Sequence, residues 1–155
     1  MEFLRWGVLG ASKFALEHLT PAIQLARNNS FTALASSSKE KAAAFLQLEP
    51  EIEIYGSYEE LLADERINAV YIPLPNTMHI DWTIRAIKSG KHVLCEKPIA
   101  MRAEEIDELI KLRNTTGLLV AEAYMIVHHP QWIKAKEIVQ SGILGDLIQV
   151  DAVFS

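Results

Sequence analysis

The sequence predicts an α/β domain built on a doubly wound parallel sheet, and three observations lead there. Short segments that are apolar throughout alternate with longer segments of helical period. Strands apolar on both faces need cover on both sides, which amphipathic helices between parallel strands supply. Residues with polar side chains or special backbone geometry gather just after the strands, where such a sheet opens its crevice.

The elements follow in order along the chain. Residues 6–9 read as the first buried strand. Residues 13–28 form the first helix, with Thr20 as a cap and Pro21 in the first turn of a restart. Residues 31–35 and 39–48 form the second strand and helix. Residues 52–55 alternate with Glu51 and Glu53, the pattern of a half-exposed edge strand. Strands at 69–72, 92–95 and 118–121 then alternate with helices at 79–89, 102–115 and 131–141. Gly90 and Gly117 stand where two of these helices should stop. Residues 145–155 alternate like a strand with no sheet to join. They are expected to open a second α+β domain that is cut short, giving a first domain over residues 1–123 and a connecting helix and first strand over residues 124–155.

Composition narrows the partners. A chain of 155 residues, half hydrophobic and 23% charged, suits one globular core. A net charge of −5 gives no basic face for nucleic acid. No apolar run approaches about 18 residues and the first residues lack a secretion pattern, so no membrane partner and a cytoplasmic location are expected. The single cysteine, Cys95, cannot form an internal disulfide and reads as packing.

Chemistry is expected at the strand exits. Gly10-Ala11-Ser12-Lys13-Phe14-Ala15 resembles a Rossmann-type dinucleotide turn, in which glycines let helix N-terminal amides approach a pyrophosphate. Serine and alanine replace its second and third glycines, and an ordinary strand-to-helix turn is the plainer reading. The second exit, Ser36-Ser37-Ser38-Lys39, holds no acid to bond ribose hydroxyls. Its hydroxyls and cation favour NADP over NAD, or else cap the next helix. Glu96-Lys97-Pro98 ends the fifth strand. There the Lys97 ammonium could stabilise a developing alkoxide, or form a rim ion pair of small structural worth. His128 and His129 lack further ligands at metal spacing, so no metal is expected, and His79 reads as a first-turn helix residue.

Taken together, five stretches resemble the N-terminal domain of the glucose-fructose oxidoreductase, inositol dehydrogenase and rhizopine catabolism family, written Gfo/Idh/MocA. They are residues 5–15, 69–79, Cys95-Glu96-Lys97-Pro98, Glu122-Ala123-Tyr124-Met125 and His129-Pro130-Gln131. The resemblance implies NAD(P)-dependent oxidation of a hydroxyl, or reduction of a carbonyl, on a sugar, cyclitol or diol. It implies Lys97 as a catalytic contact to the nicotinamide ribose and the substrate oxygen, and Pro73, Leu74, Pro75, Asn76 and His79 along the cofactor cleft. Gly10, Ala11, Ser12, Lys13, Phe14, Ser36, Ser37, Lys39, Glu96 and Glu122 complete the expected cofactor set. The last stretches are most similar to the dihydrodiol and xylose dehydrogenase branch. Family members carry a second domain with the main acid–base histidine, which is not found in residues 1–155, so this polypeptide alone is expected to turn over little. The rival readings are a stand-alone, non-catalytic dinucleotide or regulatory module and an inactive fragment. A homo-oligomer could arise by edge pairing of the final strand.

Overall fold

The computed structural model describes residues 3–153. The chain forms two compact units, Met1–Ala123 and Tyr124–Ser155.

In the first unit, β1 (Leu4–Leu9) leads through a π-helical turn (Ala15–Leu19) into α1 (Thr20–Leu25). Then follow β2 (Asn29–Ala35), α2 (Lys39–Leu48), β3 (Glu53–Tyr55), α3 (Tyr58–Ala63) and β4 (Ala69–Ile72). A 3-10 turn (Asn76–Met78) runs into α4 (His79–Lys88), and β5 (His92–Glu96), α5 (Ala103–Thr116) and β6 (Val120–Ala123) close the unit. All strands pair in parallel in the order β3-β2-β1-β4-β5-β6. The chain winds outward from β1 in one direction and from β4 in the other, so the switch point lies between those two strands.

The period-2 pleat sorts each strand between two cores. Ala33, Ala35, Val70, Ile72, Val93 and Cys95 face the core beneath α3, α4 and α5, with Leu61, Ile87 and Leu109. Leu34 and Tyr71 face the opposite core, with Ile23, Phe31 and Phe45 beneath α1 and α2. This doubly wound α/β architecture agrees with the sequence reading, including the edge position of β3. Gly117, at φ 70°, ends α5 in the left-handed conformation expected of a glycine there.

Several elements differ from expectation. Thr20 does not cap a restarted helix: it lies inside the helical run with its hydroxyl donating to the Ala15 carbonyl at 3.1 Å. The run ends at Leu25, before the expected residue 28. Helix α3 was not anticipated, although Ser57 and Glu60 form its capping box. Strand β6 begins at Val120, two residues later than expected, which puts Glu122 within the strand.

In the second unit, a 3-10 turn (Met125–His128) precedes α6 (Pro130–Gln140). His129 caps α6 by accepting the Gln131 amide on Nδ1 at 3.2 Å. The strand expected over 145–155 is absent from the described residues 145–153, because a β ladder exists only with a hydrogen-bonded neighbour. Its last two residues, Phe154 and Ser155, lie outside the described residues. No helix among the described residues is long and apolar enough to cross a membrane.

Candidate dinucleotide and hydride-transfer site

The first strand exit is shaped by Gly10. Its φ of +101° is a conformation that side-chain-bearing residues rarely adopt. A Cβ there would stand 2.8 Å from Leu74 Cδ2 and 3.5 Å from the Tyr58 hydroxyl. The turn is tied to the sheet by the Gly10 amide, which donates to the Ala35 carbonyl at 2.9 Å. Ser12, where the second glycine of the fingerprint would be, accepts the Ala15 amide on its hydroxyl at 3.0 Å. It serves as the helix cap, and Ala15 packs fully buried behind it. The earlier first-turn amides have no intrahelical acceptor by geometry, which leaves donors directed out of the helix start. Lys13 and Phe14 are exposed. Lys13 pairs with Glu17 at 3.6 Å and Phe14 rests on His18 with ring centroids 5.0 Å apart.

The serines of the second exit divide between two tasks. Ser38 caps α2 by accepting the Lys41 amide at 3.3 Å, and its hydroxyl donates to Glu40 at 2.9 Å. Ser36 exchanges hydrogen bonds with the Ser38 main chain, at 3.2 Å each way. Ser37 and Lys39 remain exposed, and Ser37 lines a shallow pocket with Gly56, Ser57, Tyr58 and Glu59. The capping reading thus holds for Ser38, and a phosphate-binding reading narrows to Ser37 and Lys39.

Between the fourth and fifth exits, Leu74 folds over the Gly10 turn while Pro75 and Asn76 face solvent and Pro73 is half-buried. His79 does not open onto the crevice. It is fully buried, with Nε2 2.7 Å from the Leu74 carbonyl and Nδ1 2.7 Å from the Pro98 carbonyl.

At the fifth exit no Glu96–Lys97 ion pair forms among the described residues. The Glu96 carboxylate is held instead by two donors. The buried Tyr71 hydroxyl donates to Oε1 at 2.7 Å, and the Lys97 amide donates to Oε2 at 3.2 Å. Burial, together with the Glu96 carboxylate, pushes the Tyr71 phenol well above its ordinary value, so it stays a donor. Lys97 precedes a cis peptide to Pro98, and its residue is exposed. Glu122, on the neighbouring strand, accepts the Ile99 amide on Oε1 at 2.9 Å. Cys95 is buried, and desolvation pushes its thiol up to about 12, consistent with a packing role.

Two contributors escaped the sequence reading, Tyr58 above Gly10 and Tyr71 behind Glu96. Tyr71 stands in a run that otherwise reads as apolar strand, and only the pleat shows that it shares a face with Glu96.

The pattern of the Gfo/Idh/MocA oxidoreductase family, with its NAD-binding Rossmann fold, matches residues 4–124. The chain belongs to this family. Family relatives include a dTDP-3,4-didehydro-2,6-dideoxy-alpha-D-glucose 3-reductase of Streptomyces violaceoruber, 40% identical over 98% of this chain and 44% of that protein. A D-xylose 1-dehydrogenase (NADP(+)) of Haloferax volcanii is 38% identical over 98% of this chain and 46% of its own. Among solved structures, a 3-ketoreductase from Actinomadura kijaniata in complex with NADP superimposes with a TM-score of 0.82 at 33% identity, covering 92% of this chain and 45% of that one. The chain thus spans less than half the length of these Gfo/Idh/MocA relatives.

Proposed function

We propose that this chain is the cofactor-binding half of an NADP-preferring oxidoreductase that moves hydride between a nicotinamide and a hydroxyl or carbonyl carbon of a sugar, cyclitol or diol. The observation that carries the reading is the fifth strand exit. Glu96 is tied to Tyr71 and the Lys97 amide, so the neighbouring Lys97 ammonium has no neutralising partner among the described residues, at the end of β5, one strand from the switch point. A cation in that place suits an oxygen that gains negative charge as hydride leaves or arrives at its carbon.

The residues present fit a dinucleotide. Gly10 takes a backbone conformation closed to most side chains and lets Leu74 pack directly on the turn, and the helix start behind it presents amides toward an anion. Ser37 and Lys39 stand where an adenosine ribose phosphate would lie beyond β2, and no carboxylate follows β2 before Glu40 to repel it. When bound, the nicotinamide ring supplies or accepts the hydride. The chain's own part is to seat the pyrophosphate at the Gly10 turn, to exclude water with Leu74, and to hold Lys97 at the substrate oxygen. The preference for NADP is supported by the xylose dehydrogenase named for it and by the ketoreductase solved with it. In the whole protein the proton would be exchanged with a group outside residues 1–155. The xylose dehydrogenase relative favours the same sugar and diol branch.

The test is calorimetric titration with NADPH and NADH, on the chain and on Lys39→Ala. NADPH should bind saturably, and Lys39→Ala should weaken it about 5- to 30-fold, as expected for loss of one charge-assisted contact, while leaving NADH unchanged. Equal weakening of both would remove the phosphate role of Lys39, and no binding of either would overturn the cofactor reading.

A further inference from the structure

The loops after β4 and β5 leave the sheet side by side, and one buried side chain joins them. His79, the first residue of α4, places Nε2 on the Leu74 carbonyl of one loop and Nδ1 on the Pro98 carbonyl of the other, each at 2.7 Å. A carbonyl oxygen accepts and cannot donate, so whichever ring nitrogen carries hydrogen donates to the carbonyl it faces.

The second loop is gripped from its other side as well. The Pro98 carbonyl and the Ile99 N–H belong to a single peptide group, and that N–H donates to Glu122 Oε1 at 2.9 Å. Three elements therefore meet in one chain of hydrogen bonds: the α4 ring, the 98–99 peptide and the β6 carboxylate. Just upstream, the Lys97 amide is fixed by the Glu96 carboxylate, itself held by Tyr71. The Lys97 main chain is thus tethered before and after, while its side chain stays free.

We propose that His79 is a positioning residue for Lys97. Its ring bridges the two loop carbonyls, and together with Glu122 it holds the 98–99 peptide so that the Lys97 loop keeps a fixed spacing from the loop at residues 73–76. The importance of that spacing rests on the reading above, in which a cofactor lies between the two loops. The tether itself does not depend on that reading.

Two substitutions separate the arms. His79→Asn places an amide N–H near the Nδ1 position and retains the Pro98 arm, whereas His79→Gln reaches the Nε2 position and retains the Leu74 arm. In backbone amide spectra of the full 155-residue chain, the Asn variant should move the signals of residues 74–77 and spare 97–99. The Gln variant should do the reverse. Each should weaken NADPH about three- to tenfold, the worth of one hydrogen bond. In the unsubstituted chain, nitrogen-resolved spectra should show a His79 ring N–H protected from exchange with solvent, a readout that needs no variant to fold. A His79 ring N–H that exchanges freely with solvent, or variants that disturb both loops alike, would overturn the tether. If NADPH binds to none of the proteins, the cofactor reading fails while the ring and loop spectra still decide the tether.

Discussion

The loops before β4 and β5 and the loops after them lie at opposite ends of the same strands, yet they treat polar groups in opposite ways. Before the strands, polar groups are joined to one another. The buried Lys91 donates to the Asp64 and Ile67 carbonyls at 2.7 Å each. Asn68 accepts the Arg5 amide at 2.6 Å, and Arg66 grips the Asp64 carboxylate, Glu53 and the Tyr55 hydroxyl. After the strands, internal bonds hold main chain and carboxylates in place while Lys97, and Ser37 and Lys39 beyond β2, are left facing solvent. A parallel sheet opens its crevice at this second end, and the exposed polar groups there are the ones the proposed cofactor would meet.

The strongest way to break that contrast is Lys91→Met. The substitution keeps most of the apolar stem but leaves the buried Ile67 carbonyl without its donor and the Asp64 carbonyl with the Ile67 amide alone, at an expected cost of about 1–3 kcal/mol. Burial already holds the Lys91 ammonium below the ordinary lysine range, the direction expected where the charge is retained for its bonds rather than its hydration. The urea midpoint should fall sharply while NADPH affinity of the folded protein stays unchanged. A loss of affinity without a loss of stability would mean that the two ends are not separate in function.

Gly10→Ala tests the opposite end. The added methyl meets Leu74 Cδ2 at 2.8 Å, which that flexible side chain can partly relieve, but the φ of +101° cannot be relieved without moving the turn. About 1–2 kcal/mol of stability should be lost. NADPH binding should drop at least about tenfold, since the turn that admits the phosphates is displaced. A stable variant with intact binding would show that the Gly10 turn does not touch the cofactor.

The same contrast explains what was legible in the sequence. The succession of strands and helices, the buried faces and the exits at Gly10, Ser36–Ser38 and Glu96 follow from periodicity and from residues with local geometric meaning. The roles of Ser12 and Ser38 as caps were also within reach, because capping acts over three residues. What stayed hidden depends on long-range pairing. The Glu96 side chain was read as a partner for its neighbour Lys97, but its bond is to Tyr71, which is 25 positions away in sequence. His79 was read as a cofactor residue from its motif, whereas both of its nitrogens are taken by main chain from two different loops. The expected last strand failed for the same reason, since alternation marks a face but supplies no neighbour.

The gentlest probe of the stabilising end is pH. Hydrogen bonds from Arg66, with a further one from Tyr55, hold the Asp64 carboxyl down at about 2, against an ordinary value of 3.8. A folded-state value below the unfolded one means that the unfolded chain takes up protons first. The stability Asp64 contributes is therefore fully present above about pH 4 and is lost as pH falls toward 2. Urea midpoints measured across that window should fall for the natural chain and fall less for Asp64→Asn, with a difference smaller than the Lys91→Met effect. NADPH affinity at pH 7 should be the same for both. Parallel midpoint curves would show that Arg66 and Asp64 sit side by side without stabilising the fold, which would leave Lys91 as the main lock at this end of the sheet.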